Sequence, residues 1–289
     1  MYKQINQQVS NLAAAGKRRL FFPVAAFVIL LVIILPGCGA GKTTFQKSYR
    51  RLDQAEKLLA DSLLKYALDH EALYTLCDTL KPVSSIMLYR LPLFSPNPAQ
   101  RDSATNVLAG LQRIANQLSF GDCQFLLNPF ERPDGIYKNI ELYVIRKNRL
   151  QSRIREQRDF YHRLGLSEYS LPATVLAITE YENKYDRWKS YGYLFGYPAH
   201  AVDFFVEAGK RQDSTGQFVA RDFFQVPVYA DLSGYFTYAV PKGYQPVETD
   251  SAIYHKATIT LNKYRAVREK YFSGNRKKNM AAIMKQMGW

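Results

Sequence analysis

Only three cysteines occur in the 289 residues, at positions 38, 77 and 123, and no C-x-x-C pair or cysteine–histidine cluster with zinc spacing is present. That excludes a thioredoxin-type redox motif and a zinc finger. Histidine is as scarce, with only His70, His162, His200 and His255, and none falls in an H-E-x-x-H pattern. A zinc-protease helix is therefore excluded. No G-x-S-x-G occurs, so there is no nucleophile elbow. Ser62 and Lys65 form an S-x-x-K pair, but the S-D-N and K-T-G elements that chemistry also needs are missing, which leaves coincidence. Internal repeats and low-complexity linkers are absent too. Acid is wholly missing from the first 37 residues, which carry Lys3, Lys17, Arg18 and Arg19.

What is present is the composition of a globular chain. Hydrophobic residues make up 47% and charged residues 22%, enough apolar surface for a sizeable core. Tyrosine supplies 21 of the aromatic residues, each with an apolar ring and a polar tip suited to a half-buried position. The net charge of +14 favours anionic partners without choosing among nucleic acid, phospholipid head groups and acidic polysaccharide. A lysine-rich solvated surface is the plainer account of it.

The segment LPGCGAGKTT, 35–44, follows the single long apolar run, Leu20 to Leu35. Its Gly41-Lys42-Thr43 matches the end of a P-loop, G-x-x-x-x-G-K-[ST]. The first glycine of that pattern falls on Pro36, which has no N–H to offer a phosphate. The apolar run is about twice the length of a typical buried strand. VPVYAD, 226–231, is the nearest approach to a magnesium-binding strand end, and a proline interrupts it. Nucleotide binding is therefore kept only as a third, disfavoured reading.

The same residues fit an export signal. Lys17-Arg18-Arg19 is a positive n-region, Leu20 to Leu35 an apolar h-region, and Gly37 a small residue before a cut. Leu35-Pro36-Gly37-Cys38 resembles the lipobox of bacterial lipoproteins, with Pro36 departing from the small residues usual at its place. The resemblance covers about the first 40 residues. It implies that Cys38 carries acyl chains as a membrane-lipid anchor and that the signal is removed before it. It also implies a lipid-anchored place in the bacterial cell envelope. Gly39, where some enteric lipoproteins held at the inner membrane have aspartate, points to the outer membrane. An uncleaved membrane helix over the same run is the alternative.

These features divide the chain into a signal peptide (1–37), a short tether (38–44), an α+β body (45–274) and a basic, methionine-rich tail (275–289). A stripe from Phe45 through Tyr49, Leu52, Leu59, Leu63, Tyr66 and Leu73 to Leu80 predicts one long helix or two in line, with Glu56 and His70 interrupting it. Strands are expected over 84–94, from Cys123 and over 140–147, and helices over 102–118 and from Pro172. Asn148 is expected to cap a further helix, with Gln151 in capping-box position. Pro198 starts a helix stopped by Gly209. FFQVPVY and YFTYAV flank a turn as a C-terminal β-hairpin. Asp250 caps a last long helix. The expectation is a single compact domain, mainly helical with short strands.

Several constellations carry candidate chemistry. With Cys38 modified, Cys77 and Cys123 are an even pair, either bridged or separately buried. His200, Asp203 and Glu207 share a helix face, read as a solvated polar face with no metal. Tyr191, Tyr193, Phe195 and Tyr197 alternate with small residues before a helix N-terminus and, with His200 just beyond, form a candidate binding segment, where rings can stack on a sugar or peptide and spare N–H groups can meet an anion. The plainer reading is a core-filling connector. A basic stretch from Arg146 to Arg163 is diluted by Glu156 and Asp159. It reads as a solvated helix face or an approach to lipid heads, with no nucleic-acid partner. No cofactor is implied.

The sequence thus points to a non-catalytic, membrane-anchored binding or assembly component that meets an envelope protein, peptide or glycan. The alternative is an envelope hydrolase whose acid pair is concealed by sequence distance. A polar cleft with two facing carboxylates would favour the hydrolase, and a shallow aromatic groove beside Tyr193 and Tyr197 would favour binding.

Overall fold

The two interruptions of the N-terminal stripe are where the helix breaks. A computed structural model describes residues 44–230, 236–272 and 280–289, so the signal peptide and Cys38 lie outside it. Its first helices are α1 (Phe45–Arg50), α2 (Gln54–Asp69) and the short α3 (Leu73–Leu76). Asp53 accepts the Glu56 N–H, and the Glu56 carboxylate accepts the Asp53 N–H, closing a capping box that starts α2. Glu56 is buried because it is a cap, and Arg113 pairs with it. His70 takes extended backbone and ends α2.

A three-stranded antiparallel sheet then forms from β1 (Val83–Leu91), β2 (Cys123–Pro129) and β3 (Lys138–Arg146), in the order β1-β3-β2. Helix α4 (Pro98–Gln117), capped by Asn97, joins β1 to β2 and packs on β2. Side chains of β3 alternate between faces. Ile140, Leu142 and Val144 join the larger core, while Tyr143 and Ile145 join a second, smaller one. Both faces of the sheet are thus covered. The β1–β3 register shifts between Ser85, opposite Tyr143, and Met87, opposite Leu142. That irregularity sits beside the site described below, where bulges commonly re-aim a side chain.

Five helices follow: α5 (Lys147–Glu156), α6 (Arg158–Arg163), α7 (Pro172–Tyr181), α8 (Lys184–Leu194) and α9 (Ala199–Thr215). Helix α5 runs directly out of β3, so Asn148 lies inside it and caps nothing; its carbonyl accepts from Ser152. Helix α9 passes through Gly209 and stops at Gly216, which is left-handed. Gly209 is a packing position instead: a Cβ there would lie 2.4 Å from the Trp188 ring. The aromatic segment at 190–197 is not wholly a connector, because α8 takes it in as far as Leu194.

The paired strands β4 (Arg221–Val226) and β5 (Phe236–Pro241) form the C-terminal two-stranded sheet, on which α9 packs. Pro227 ends β4 because it cannot donate to the ladder. Helix α10 (Glu248–Phe272) begins two residues before Asp250, which still accepts the Val247 N–H at 2.9 Å. Helix α11 (Met280–Met287) buries Met280, Ile283, Met284 and Met287 in the larger core against α1 and α2. Residues 280–289 therefore belong to the folded body, whereas the sequence set them apart as a tail. Their apolar spacing is that of a buried helix face. The fold is α+β, mainly helical, in one body. No helix among the described residues is long and apolar enough to cross a membrane.

Candidate functional site

The face of β3 that carries Tyr143 and Ile145 also carries Glu141, and there the covering helices leave a gap. A cleft of about 750 Å³ opens between the sheet and α7–α8. Its floor is Ser85, Glu141 and Tyr143, and one wall is Glu180, Arg187, Trp188, Tyr191 and Phe195. Both acids are withdrawn from water, Glu141 being 8% exposed and Glu180 6%.

The polar groups of the floor are linked. The Ser85 hydroxyl donates to Glu141 Oε1. The Tyr143 phenol is electrostatically coupled to Tyr191, whose hydroxyl donates to Glu180 Oε2 at 2.7 Å. Glu180 Oε1 also accepts the Glu131 N–H at 3.1 Å. Arg187 spans the mouth, donating to Glu131 Oε2 at 3.2 Å and to the Glu180 carbonyl at 3.1 Å. Asn128 lies opposite Glu141 on β2, and its side-chain Nδ2 is buried without a partner among the described residues.

Burial pushes the Glu141 carboxyl above the ordinary glutamate range; the Ser85 bond opposes this, while Glu71 and Glu180 add to it. Burial likewise raises both phenols, with the neighbouring phenol and carboxylates reinforcing it for Tyr143 and the bond to Glu180 for Tyr191. The cleft thus offers donors that keep their protons at neutral pH, beside a carboxylate acceptor. Phe195 stacks on Tyr191 at 5.4 Å, worth about 0.5–1.5 kcal/mol beyond its area. Behind Phe195 the fully buried Lys81 pairs with Glu71 and lies 4.5 Å from the Phe236 ring centre. Burial lowers the Lys81 pKa against the pull of Glu71.

The aromatic residues singled out in the sequence are divided among different places. Tyr191 and Phe195 line the acidic cleft. Tyr197 stacks on Phe236 at 5.6 Å and lines an adjoining apolar groove of about 320 Å³, which shares Trp188, Tyr191 and Phe195. Tyr193 points the other way, into the smaller core against Phe160. His200 accompanies neither; its Nε2 lies 3.0 Å from the Tyr244 hydroxyl and 3.3 Å from Asp250 Oδ1. Asp203 pairs with Lys189 and Glu207 with Lys210, so the three residues of that helix face do not converge.

Cys77 and Cys123 are free thiols. Burial pushes each up to about 12, with Cys123 adding to the effect at Cys77 and Arg146 opposing it at both.

Ser85, Glu141, Tyr143 and Glu180 were not singled out from sequence. Glu141 had a signal: it is the acid at an inward position of the alternating strand IELYVIRK. Glu180, at the end of a helix, had none. No protein-family model, curated protein or solved structure matches the chain.

Proposed function

We propose that this chain is a lipid-anchored protein of the bacterial cell envelope, tethered through Cys38, whose body binds a glycan in the cleft between the sheet and α8. The observation that carries the binding reading is the pairing of an aromatic wall, Trp188, Tyr191 and Phe195, with a floor of buried hydroxyl and carboxyl groups. Sugars present that complement: an apolar ring face, and hydroxyls that both donate and accept. Ligand sites of this size are typically apolar with a few placed polar groups. The lipobox at Leu35–Cys38 supports the anchor.

Intact mass of the membrane-extracted protein tests the anchor, since signal removal and acylation each change it. Calorimetric titration of the detergent-solubilised protein with cell-wall saccharide fragments tests the ligand. Trp188→Ala is expected to weaken binding by about tenfold or more. Failure of every fragment to bind at millimolar concentration would remove the glycan reading.

A second reading rests on the acid pair. Glu141 keeps its proton to higher pH than an ordinary glutamate, as a general acid requires, and Glu180 lies in the same cleft. In an envelope hydrolase Glu141 would protonate the departing oxygen, and Glu180 would take a proton from the attacking water. Glu141→Gln and Glu180→Gln would then abolish turnover of a bound fragment while it still binds.

A further inference from the structure

The protein already houses one ammonium group against Phe195. The Lys81 Nζ pairs with Glu71 and lies 5.4 Å from the Phe195 ring centre, 5.9 Å from that of Tyr197 and 4.5 Å from that of Phe236. The acidic cleft sets out the same two elements again, the Glu141 carboxylate and the Tyr191 and Phe195 rings, but there no cation of the described residues pairs with the acid. We infer that the saccharide taken by this cleft carries a free amino group, whose ammonium pairs with Glu141 against the Tyr191 and Phe195 rings. The inference rests on the glycan reading and names the class of glycan.

The first support is Glu141 itself. It is 8% exposed and lines the cleft. Its one side-chain hydrogen bond among the described residues comes from Ser85, to Oε1. Oε2 has no such partner, yet it is not one of the polar atoms sealed away from solvent, so a donor in the cleft can reach it. A withdrawn carboxylate without a cation is costly, and an ammonium offsets that cost.

The second support is that the cations lining the cleft are tied to other acids. Arg187 pairs with Glu131 at 3.2 Å and lies 4.0 Å from Glu180, Arg132 lies 3.9 Å from Glu131, and Lys184 pairs with Asp213 while covering the Trp188 ring at 4.8 Å. The third is the local field. The charges of Glu71 and Glu180 both act on Glu141 in the sense that favours an added positive charge. The rings add attraction for a cation within about 6 Å of their centres. An ammonium brings three charged donors to this spot. An acetamido group brings one neutral N–H and a carbonyl that a carboxylate repels. The net charge of the whole chain, +14, opposes a cationic ligand at long range, so a preference for one has to arise inside the cleft.

Calorimetric titration of the full chain in detergent compares glucosamine oligomers with fully N-acetylated oligomers of equal length, at a pH that keeps the sugar amine protonated. The free-amine form is expected to bind about tenfold or more tighter. Added salt should not reverse that preference, because it screens the long-range repulsion as well as the contact. The wild-type ratio decides the matter whether or not any variant folds. In Glu141→Gln the ratio is expected to fall close to one, and Glu141→Asp, which keeps the charge, should restore part of it. If the acetylated oligomer binds as tightly as the free amine or tighter, the inference is overturned and the glycan reading stands. If neither oligomer binds, the glycan reading falls and the inference with it. A preference that Glu180→Gln abolishes and Glu141→Gln leaves intact overturns the assignment to Glu141.

Discussion

The Tyr191 hydroxyl donates to Glu180 Oε2 at 2.7 Å, joining the aromatic wall of the acidic cleft to its buried carboxylate. Tyr191→Phe keeps the ring and its stack on Phe195 but leaves that oxygen without its donor. A buried acceptor left unmade costs about 1–3 kcal/mol, and urea unfolding of the variant is expected to show that loss. Calorimetry should show weaker glycan binding as well, because the wall loses its fixed orientation.

Glu141 gives the protein a pH dependence of known sign. Its folded-state pKa is raised, chiefly by burial, so the folded state holds this proton to higher pH than the unfolded chain. Its contribution is full below the ordinary glutamate value and declines as pH rises through the raised one. Glu141→Gln removes that decline. Denaturation midpoints of wild type and variant, followed upward from acid, should diverge across that window.

Asp69 and Asp250 act in the opposite direction. Burial alone would raise Asp69, but bonds from Arg268, Lys65 and Tyr264 hold it below the ordinary aspartate range. Asp250 is held down against burial by the Tyr238 and Tyr244 hydroxyls and the Val247 N–H. Their contribution is present above the ordinary aspartate value and is lost as pH falls through the lowered ones. Arg268→Met leaves Asp69 buried without its main partner and is expected to cost about 3 kcal/mol. The variant should also lose less stability than wild type as pH falls through that window, because Asp69 no longer has its strongest pKa-lowering partner.

Gly196 directly follows Phe195 of the acidic cleft, with φ +82°, and a Cβ there would come within 2.5 Å of the Leu80 carbonyl oxygen. Gly196→Ala therefore carries both a left-handed backbone penalty and a clash with main chain. A loss of about 2–4 kcal/mol is expected. Thermal unfolding checks it, and Gly135→Ala serves as the control: its φ is +59° but nothing lies within 4 Å, so only the backbone penalty remains.

The two body cysteines should be slow to react. With both thiols pushed up to about 12, very little thiolate exists at pH 8. Maleimide is expected to label neither Cys77 nor Cys123 in the folded protein over minutes, and both after denaturation. Equal labelling in the two states would contradict the packing around Arg146.

Much of the fold was legible because apolar spacing survives in local sequence. The strand IELYVIRK, the long helix near Asp250 and the paired strands near its start all followed from period and turn residues. What failed did so for identifiable physical reasons. Glu56 looked like a flaw in a stripe and is a cap. Gly209 looked like a helix stop, but its missing side chain makes room for Trp188. Asn148 had the right neighbours for a cap, but β3 feeds its helix without a break. The acidic cleft was least legible. Glu141 and Glu180 meet only because α7 folds back over the sheet, and nothing local to Glu180 records that meeting. The resemblance to a lipobox, by contrast, rests entirely on four adjacent residues.

Residues 280–289 close the larger core against its other end in sequence. Phe45 packs edge-on to Phe120, Phe120 packs against Trp289, and α11 lies along α1 and α2. An affinity tag or fusion joined directly after Trp289 would therefore sit against the core-covering helix, and deleting α11 would bare the apolar faces of α1 and α2 to solvent.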